Sequence, residues 1–317
     1  MNPAHEAPWA PMIDILILAD DLSGAADCAS ACLRAGIDPL VLIDPRADPG
    51  GAPVVALDID SRARPPQEAG LAMAAQVERL LGPDTRILYQ KMDSTLRGHW
   101  ARETACALEA MATIRRDRPL AVAAPAFPAA GRTLVGGRSL LHGVALEATE
   151  TWAREGFTRP AEPAAWLAAE GLHVAQAPLD DVRSGPERLT ALFAAAHAAG
   201  ADVVVCDAET DRDLDAIARA ALALAPVPLC VGSAGLMRAL AGGAEHAAAP
   251  PPPGSTMAGP VLTAVGSASE VSRRQVEALV RARPVTAIGI APAALTSRDP
   301  GRWRRSNGRR TRAFDGS

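Results

Sequence analysis

The sequence predicts an α/β protein: a mainly parallel sheet flanked by helices forms an N-terminal domain, and a second α/β domain begins after it. Three observations point there. Short apolar runs alternate with segments in which small and apolar residues recur at helical spacing. The connections between them are short, as strand-helix-strand crossovers require. Charged residues collect where the apolar runs end, at Asp20-Asp21 and at Lys91, and in open α/β sheets ligands bind beyond the carboxyl ends of the strands.

Taken in order, residues 13–19 form an apolar run closing in Asp20-Asp21-Leu22-Ser23-Gly24, after which small residues continue to Arg34, with Gly36 as the stop. This is strand, acidic loop, helix. Two carboxylates at a strand tip can accept a hydroxyl proton or hold Mg²⁺; capping of the helix by an Asp or by Ser23 accounts for one of them better than for both. The loop has neither GxGxxG nor GxxxxGK[ST] spacing, so no Rossmann or P-loop nucleotide site is signalled. Residues 40–43 and 54–57 are further strands. The second ends in Asp58-Ile59-Asp60, which is similar to the nucleophile loop of haloacid-dehalogenase-type phosphatases and keeps a Mg²⁺-dependent sugar-phosphate phosphatase as a competing reading. Such enzymes need a later acidic pair, and after Lys91 the only Asp-Asp is Asp180-Asp181.

A helix over 66–81 leads to an apolar run at 87–89 and then to Lys91, the only lysine among 32 Lys plus Arg. Where arginine has replaced lysine everywhere else, a retained lysine suits a site needing a compact, mobile ammonium rather than a planar fork; a lysine surviving by chance on a solvated face is the plain alternative. Lys91, Asp93, Ser94, Thr95 and Arg97 crowd the crossing from this strand to a helix over 100–111, where helix N–H groups favour anions. Residues 120–124 are the next strand. They run into Pro125-Ala126-Phe127-Pro128 and then Gly131-Arg132-Thr133, a proline-stiffened loop presenting a planar donor suited to a carboxylate, or an incidental surface arginine.

Residues 150–185 read as peripheral helices with one strand at 172–175. Helix, strand, helix and strand resume at 189–199, 203–206, 214–224 and 229–231, and Gly232-Ser233-Ala234-Gly235 either offers N–H groups to an anion or makes a tight turn. Domain 1–241 thus precedes a Pro-rich linker, 242–260, with four consecutive prolines at 250–253. Strands at 261–265 and 285–290 around a helix through Arg281 open a second domain, 261–297. In 298–317, seven Arg against two acids show no apolar period and read as a basic disordered tail.

Composition narrows the function. The chain is 49% hydrophobic but 3% aromatic, so Ala, Leu, Val and Ile build the core. A net charge of −4, with the basic character confined to the tail, argues against general nucleic-acid or membrane-surface binding. Five cysteines are odd in number and fall in apolar patterns, as buried thiols of a reducing compartment do. With no signal-peptide pattern and no membrane-length apolar run, a cytoplasmic protein is expected.

Together, Ala19-Asp20-Asp21-Leu22-Ser23-Gly24-Ala25, Lys91-Met92-Asp93-Ser94-Thr95-Leu96-Arg97-Gly98, Pro125-Ala126-Phe127-Pro128 with Gly131-Arg132-Thr133, and Gly266-Ser267-Ala268-Ser269 with Arg274-Gln275 resemble the four-carbon acid sugar kinase family over residues 12–290. Its members include 3-oxo-tetronate, D-threonate and D-erythronate kinases. The resemblance implies a sugar acid bound in the N-terminal domain and ATP, with Mg²⁺, in the C-terminal one, the γ-phosphoryl group passing to the terminal hydroxyl. It makes Asp20, Asp21, Lys91 and Asp93 the catalytic surround, Ser94, Arg97 and Arg132 substrate contacts, and Ser267 and Ser269 nucleotide contacts. Arg97 or Arg132 would grip the carboxylate, an Asp would orient the attacking hydroxyl, and Lys91 would offset phosphoryl charge. Family members continue into a glycine-rich ATP segment that nothing after Ile290 resembles. The aperiodic Arg-rich sequence there is what an altered reading frame produces, so 261–297 reads as an incomplete nucleotide-binding domain. Sugar-acid binding without phosphotransfer is the alternative activity, and exposed apolar surface there invites self-association.

Overall fold

A computed structural model describes residues 13–242, 261–266 and 270–290. The chain divides into two units between Pro252 and Pro253. In the first, eight strands form one sheet: β1 (Ile15–Ala19), β2 (Leu40–Leu42), β3 (Val54–Asp58), β4 (Ile87–Lys91), β5 (Ala121–Ala124) and, further along the chain, Val174–Ala177, Val203–Cys206 and Leu229–Gly232. Between β5 and those last three, β6 (Arg132–Val135), β7 (Arg138–Leu141) and β8 (Val144–Ala145) make a small antiparallel sheet, so the three are β9, β10 and β11. The large sheet has the order β2-β3-β1-β4-β11-β5-β10-β9, and every pairing in it is parallel.

The helices are α1 (Leu22–Arg34), α2 (Pro66–Leu80), α3 (Trp100–Arg115), the short α4 (Glu150–Glu155), α5 (Pro163–Ala169) and α6 (Leu179–Val182), then α7 (Pro186–Ala198), α8 (Asp211–Leu222) and α9 (Ala234–Leu240). Because successive strand residues face opposite sides, Ile15, Ile17 and Ala19 join one core with α1, α7, α8 and α9, while Leu16 and Leu18 join another with α2, α3 and α5. Strands buried on both faces are the reason the sequence shows continuous apolar runs rather than alternation. Four of the few aromatics, Trp100, Trp152, Phe157 and Trp166, pack together in the second core, Trp100 stacking on Trp166 at 6.1 Å between ring centroids.

Helix starts follow local chemistry. Asp21 caps α1, accepting from the Gly24 amide at 2.8 Å. Thr210 and Asp213 form a reciprocal capping box on α8. Pro66, Pro163 and Pro186 stand at the first turns of α2, α5 and α7, where a missing N–H costs nothing.

Two expectations are corrected. Residues 132–145, where the sequence reading has a loop as far as Thr133 and no strand, form the β6–β8 sheet. Gly136 and Gly137, both at positive φ, make the hairpin turn, and their amides donate to the buried Asp207 carboxylate at 2.7 and 3.0 Å. The turn is therefore held from the tip of β10, about seventy residues away, a contact invisible to local pattern. In the second unit, 261–265 and 285–290 are not strands. Among the described residues it has one helix, α10 (Glu270–Ala282), with a single bridge residue at Ile288 and no ladder, and a strand exists only through a paired neighbour. The strand expected at 172–175 lies at Val174–Ala177. The five cysteines are free and buried, as expected, and no helix among the described residues is long and apolar enough to cross a membrane. Ser267, Ser269, most of the Pro-rich stretch and the tail 298–317 lie outside the described residues.

Candidate functional site

The chain leaves β1 for β2 and β3 on one side, then crosses to β4 on the other, so the connections diverge between β1 and β4. Such a switch point opens a crevice at the carboxyl ends of the strands. Register fixes its floor: Lys91, the last residue of β4, lies beside Ala19 of β1 and Gly232 of β11. Asp20 and Asp21 follow Ala19, Ser233 follows Gly232, and Arg62 comes from the loop after β3.

A cleft of about 210 Å³ opens there, lined by Asp21, Lys91, Asp93, Ser94, Arg97 and Arg132, together with Arg62, Asp27, Ser233 and neighbouring residues. Of the seven N-terminal positions that the kinase resemblance assigns to catalysis or substrate contact, all but one meet in it. Asp20 is the exception. It is 1% exposed and lies behind the cleft, gripped by Arg62 through Nε to Oδ2 at 2.7 Å and Nη2 to Oδ1 at 2.8 Å. Burial pushes its carboxyl up while the Arg62 guanidinium pulls it back. Arg62 also donates to Asp21 Oδ2 at 2.6 Å, so one fork ties both carboxylates. Sequence reading passed over Arg62. The available signal was an arginine four residues beyond the Asp58 strand tip, in a loop of the same sheet edge.

The loop from Met92 to His99 is built around Asp93. Its Oδ1 accepts the Thr95 amide at 2.8 Å and the Thr95 hydroxyl, and its Oδ2 accepts Arg97 Nη2 at 2.6 Å. Burial alone raises this carboxyl, but the Arg97 and Thr95 hydrogen bonds outweigh it and hold Asp93 far below the usual carboxylate range. Leu96 is forced to φ +64 with its side chain buried, a strained turn of the kind found where a loop is shaped for a ligand. Gly98 lies so close to Asp20 that a Cβ there would meet Oδ2 at 2.7 Å.

Lys91 is 6% exposed, and its side chain runs along α1: a Cβ on Gly24 would stand 3.0 Å from both Cγ and Nζ. The ammonium has no carboxylate within 4 Å among the described residues, and neither has Arg132. The Nε atoms of Arg97 and Arg132 are buried without a hydrogen-bond partner. Unpaired buried donors are costly unless something arrives to accept from them. The Ser233 hydroxyl, by contrast, is engaged, donating to the Ala126 carbonyl at 2.6 Å and accepting from the Gly235 amide at 3.1 Å, so the Gly232–Gly235 turn works as the cap of α9. Asp58 and Asp60 do not line the cleft; the Asp58 carboxylate accepts the Asp60 amide at 2.8 Å, an Asx-type turn at the strand end.

A parallel sheet with cations that lack carboxylate partners at its switch point makes an α/β domain with a candidate small-molecule cleft. Comparison with known proteins names the family. A model described as "Sugar-binding N-terminal domain" matches residues 15–240. The chain is 43% identical over 284 residues to a D-threonate kinase of Cupriavidus necator, covering 88% of this chain and 66% of that one, and 32% identical over 278 residues to a D-erythronate kinase of Heliobacterium modesticaldum, covering 86% and 61%. A crystal structure of a domain of unknown function from Bordetella bronchiseptica, a domain-swapped dimer with bound citrate, superposes with a TM-score of 0.62 at 31% identity over 72% of this chain and 56% of that one. The chain belongs to the four-carbon acid sugar kinase family, through its sugar-binding N-terminal domain. It spans less than two thirds of the length of these relatives.

Proposed function

We propose that this chain is the sugar-acid-binding part of an ATP-dependent kinase that phosphorylates the terminal hydroxyl of a four-carbon sugar acid. The observation that carries the reading is the surplus of donors in the cleft: Lys91 and Arg132 without carboxylate partners among the described residues, and the buried, unpartnered Nε atoms of Arg97 and Arg132. A tetronate supplies one carboxylate for a guanidinium fork and several hydroxyls for Ser94, Asp21 and Asp27. The kinase names of the Cupriavidus and Heliobacterium relatives and the citrate bound by the Bordetella protein support this class of ligand.

Arg132, with Arg97, orients the carboxylate. Lys91 offsets negative charge gathering on the transferred phosphoryl group. Of the aspartates, Asp21 suits the attacking hydroxyl best: it lines the cleft and each of its oxygens carries one hydrogen bond, whereas Asp20 is sealed by Arg62 and Asp93 holds three donors. Among the described residues no group of three or more His, Cys, Asp or Glu could hold a metal ion. They do not by themselves fit a Mg²⁺ site, and an ion accompanying ATP takes its oxygens largely from phosphate and water. The domain-swapped Bordetella dimer supports self-association, which sedimentation would read.

The test is calorimetric titration of the purified chain with D-threonate, D-erythronate and 3-oxo-tetronate, paired with an ADP-release assay. One tetronate should bind, and Arg132→Ala should weaken it by about 10- to 100-fold, the range for losing a charge-assisted hydrogen bond. ADP release in step with substrate supports the kinase; binding without it leaves a sugar-acid-binding protein; binding of none of the three sinks the reading.

A further inference from the structure

Glu103, in the first turn of α3, is 0% exposed and belongs to none of the motifs above. Its Oε1 accepts the hydroxyl of Ser61, itself 0% exposed, and its Oε2 is buried with no hydrogen-bond partner. Ser61 precedes Arg62, and the amides of both donate to the Asp20 carbonyl at 3.1 and 3.2 Å. One chain of contacts therefore joins a buried carboxyl to the guanidinium that ties Asp20 and Asp21.

We propose that Glu103 is a positioning residue: the protonation state of its carboxyl, felt through Ser61, sets the grip of Arg62 on Asp20 and Asp21 and so the affinity of the cleft for an anionic sugar. The affinity half rests on the sugar-acid reading; the link to Arg62 does not. Neutral Glu103 leaves Arg62 to its two aspartates. Ionised Glu103 is a third carboxylate competing for the same guanidinium, and its charge opposes an incoming anion.

Burial pushes the Glu103 carboxyl up to about 7; the Ser61 hydrogen bond pulls it down, Asp20 from the tip of β1 pushes it further up, and Arg62 from the β3 loop pulls it down. On its own helix the neighbouring titratable groups are Arg102, Glu109 and Cys106, whose thiol burial raises; Gly70 of α2 lies against Arg102 and Cys106, and Glu170, just past α5, pairs with Arg102 at 3.6 Å. The switch therefore falls within the physiological range, where a carboxylate at its ordinary value would be permanently charged.

The experiment follows the Arg62 Nε–H resonance by NMR from pH 5.5 to 8.5 in the full chain and in Glu103→Gln, alongside D-threonate titrations at both ends of the range. The resonance should move in the wild type with a midpoint near 7 and stay fixed in E103Q, and wild-type affinity should fall several-fold toward pH 8.5 while E103Q affinity stays level. Ser61→Ala, which keeps the carboxyl and removes its link, should shrink the Arg62 response and serves if E103Q does not fold. A resonance that titrates alike in wild type and variants, or that is flat in the wild type, overturns the proposal. If the resonance responds as expected but no tetronate binds at either pH, the sugar-acid reading fails and the Glu103–Arg62 link stands.

Discussion

Arg62 and Asp20 meet edge to edge, two parallel hydrogen bonds of 2.7 and 2.8 Å joining residues 42 apart in sequence, with the carboxylate 1% exposed. The third nitrogen reaches Asp21 at 2.6 Å. Removing one partner of a buried pair leaves the other uncompensated, at a cost of about 3–5 kcal/mol. Arg62→Met should lower urea-unfolding stability by that order, and Arg62→Lys by less, because an ammonium keeps the charge although it cannot fork. A loss under about 1 kcal/mol in R62M would mean that the pair does not hold the site together.

Lys91 behaves in the opposite way. A buried ammonium without a carboxylate partner among the described residues costs folding energy, which the ligand of the proposed function would offset. Lys91→Met should therefore leave the thermal midpoint unchanged or raise it, while weakening tetronate binding about 10- to 100-fold. A destabilised variant with unaltered affinity would assign Lys91 to structure.

Gly24 is required by closeness rather than by turn geometry. A Cβ there would come within 2.7 Å of Asp21 Oδ1 and 3.0 Å of Lys91 Nζ. Alanine ordinarily favours a helix over glycine by about 1 kcal/mol. Gly24→Ala should nonetheless bind tetronate about tenfold more weakly or worse, with overall stability little altered, because the added methyl displaces the two groups facing the cleft. Calorimetry and thermal melts on the same sample separate these effects.

The raised Glu103 carboxyl also has a stability signature. The folded state holds its proton more tightly than the unfolded chain, whose value is about 4.3. The contribution is therefore fully present below that value and is lost as pH rises through about 7. Compared with Glu103→Gln, the wild type should lose stability across this window, by about 4 kcal/mol at most, and run parallel to it above. Urea unfolding at half-unit pH steps measures the difference, and a constant offset across the window would contradict it.

Much of this was legible in the chain. Runs such as Ile-Leu-Ile-Leu-Ala before Asp20 read as strands, and helix boundaries followed from prolines, capping residues and glycines acting within a few residues of themselves. Lys91, the only lysine in the chain, pointed to the strand end at which the cleft opens. What escaped was whatever depended on distant partners. The β6–β7 hairpin carries its Gly136-Gly137 signal, yet its anchor is Asp207. Arg62 looks ordinary until β3 pairs beside β1 and places it against Asp20.

Local chemistry settled the strands of the large sheet, most of the helices of the first unit and the residue types that gather at strand ends, because backbone preferences and apolar periodicity act over a handful of residues. Strand order and register decided the rest: that β4 lies between β1 and β11, that Asp20 is sealed while Asp21 is open, and that a glutamate on α3 reaches the loop carrying Arg62. Those are properties of which surfaces pack together, and packing joins residues that the chain keeps forty or more positions apart.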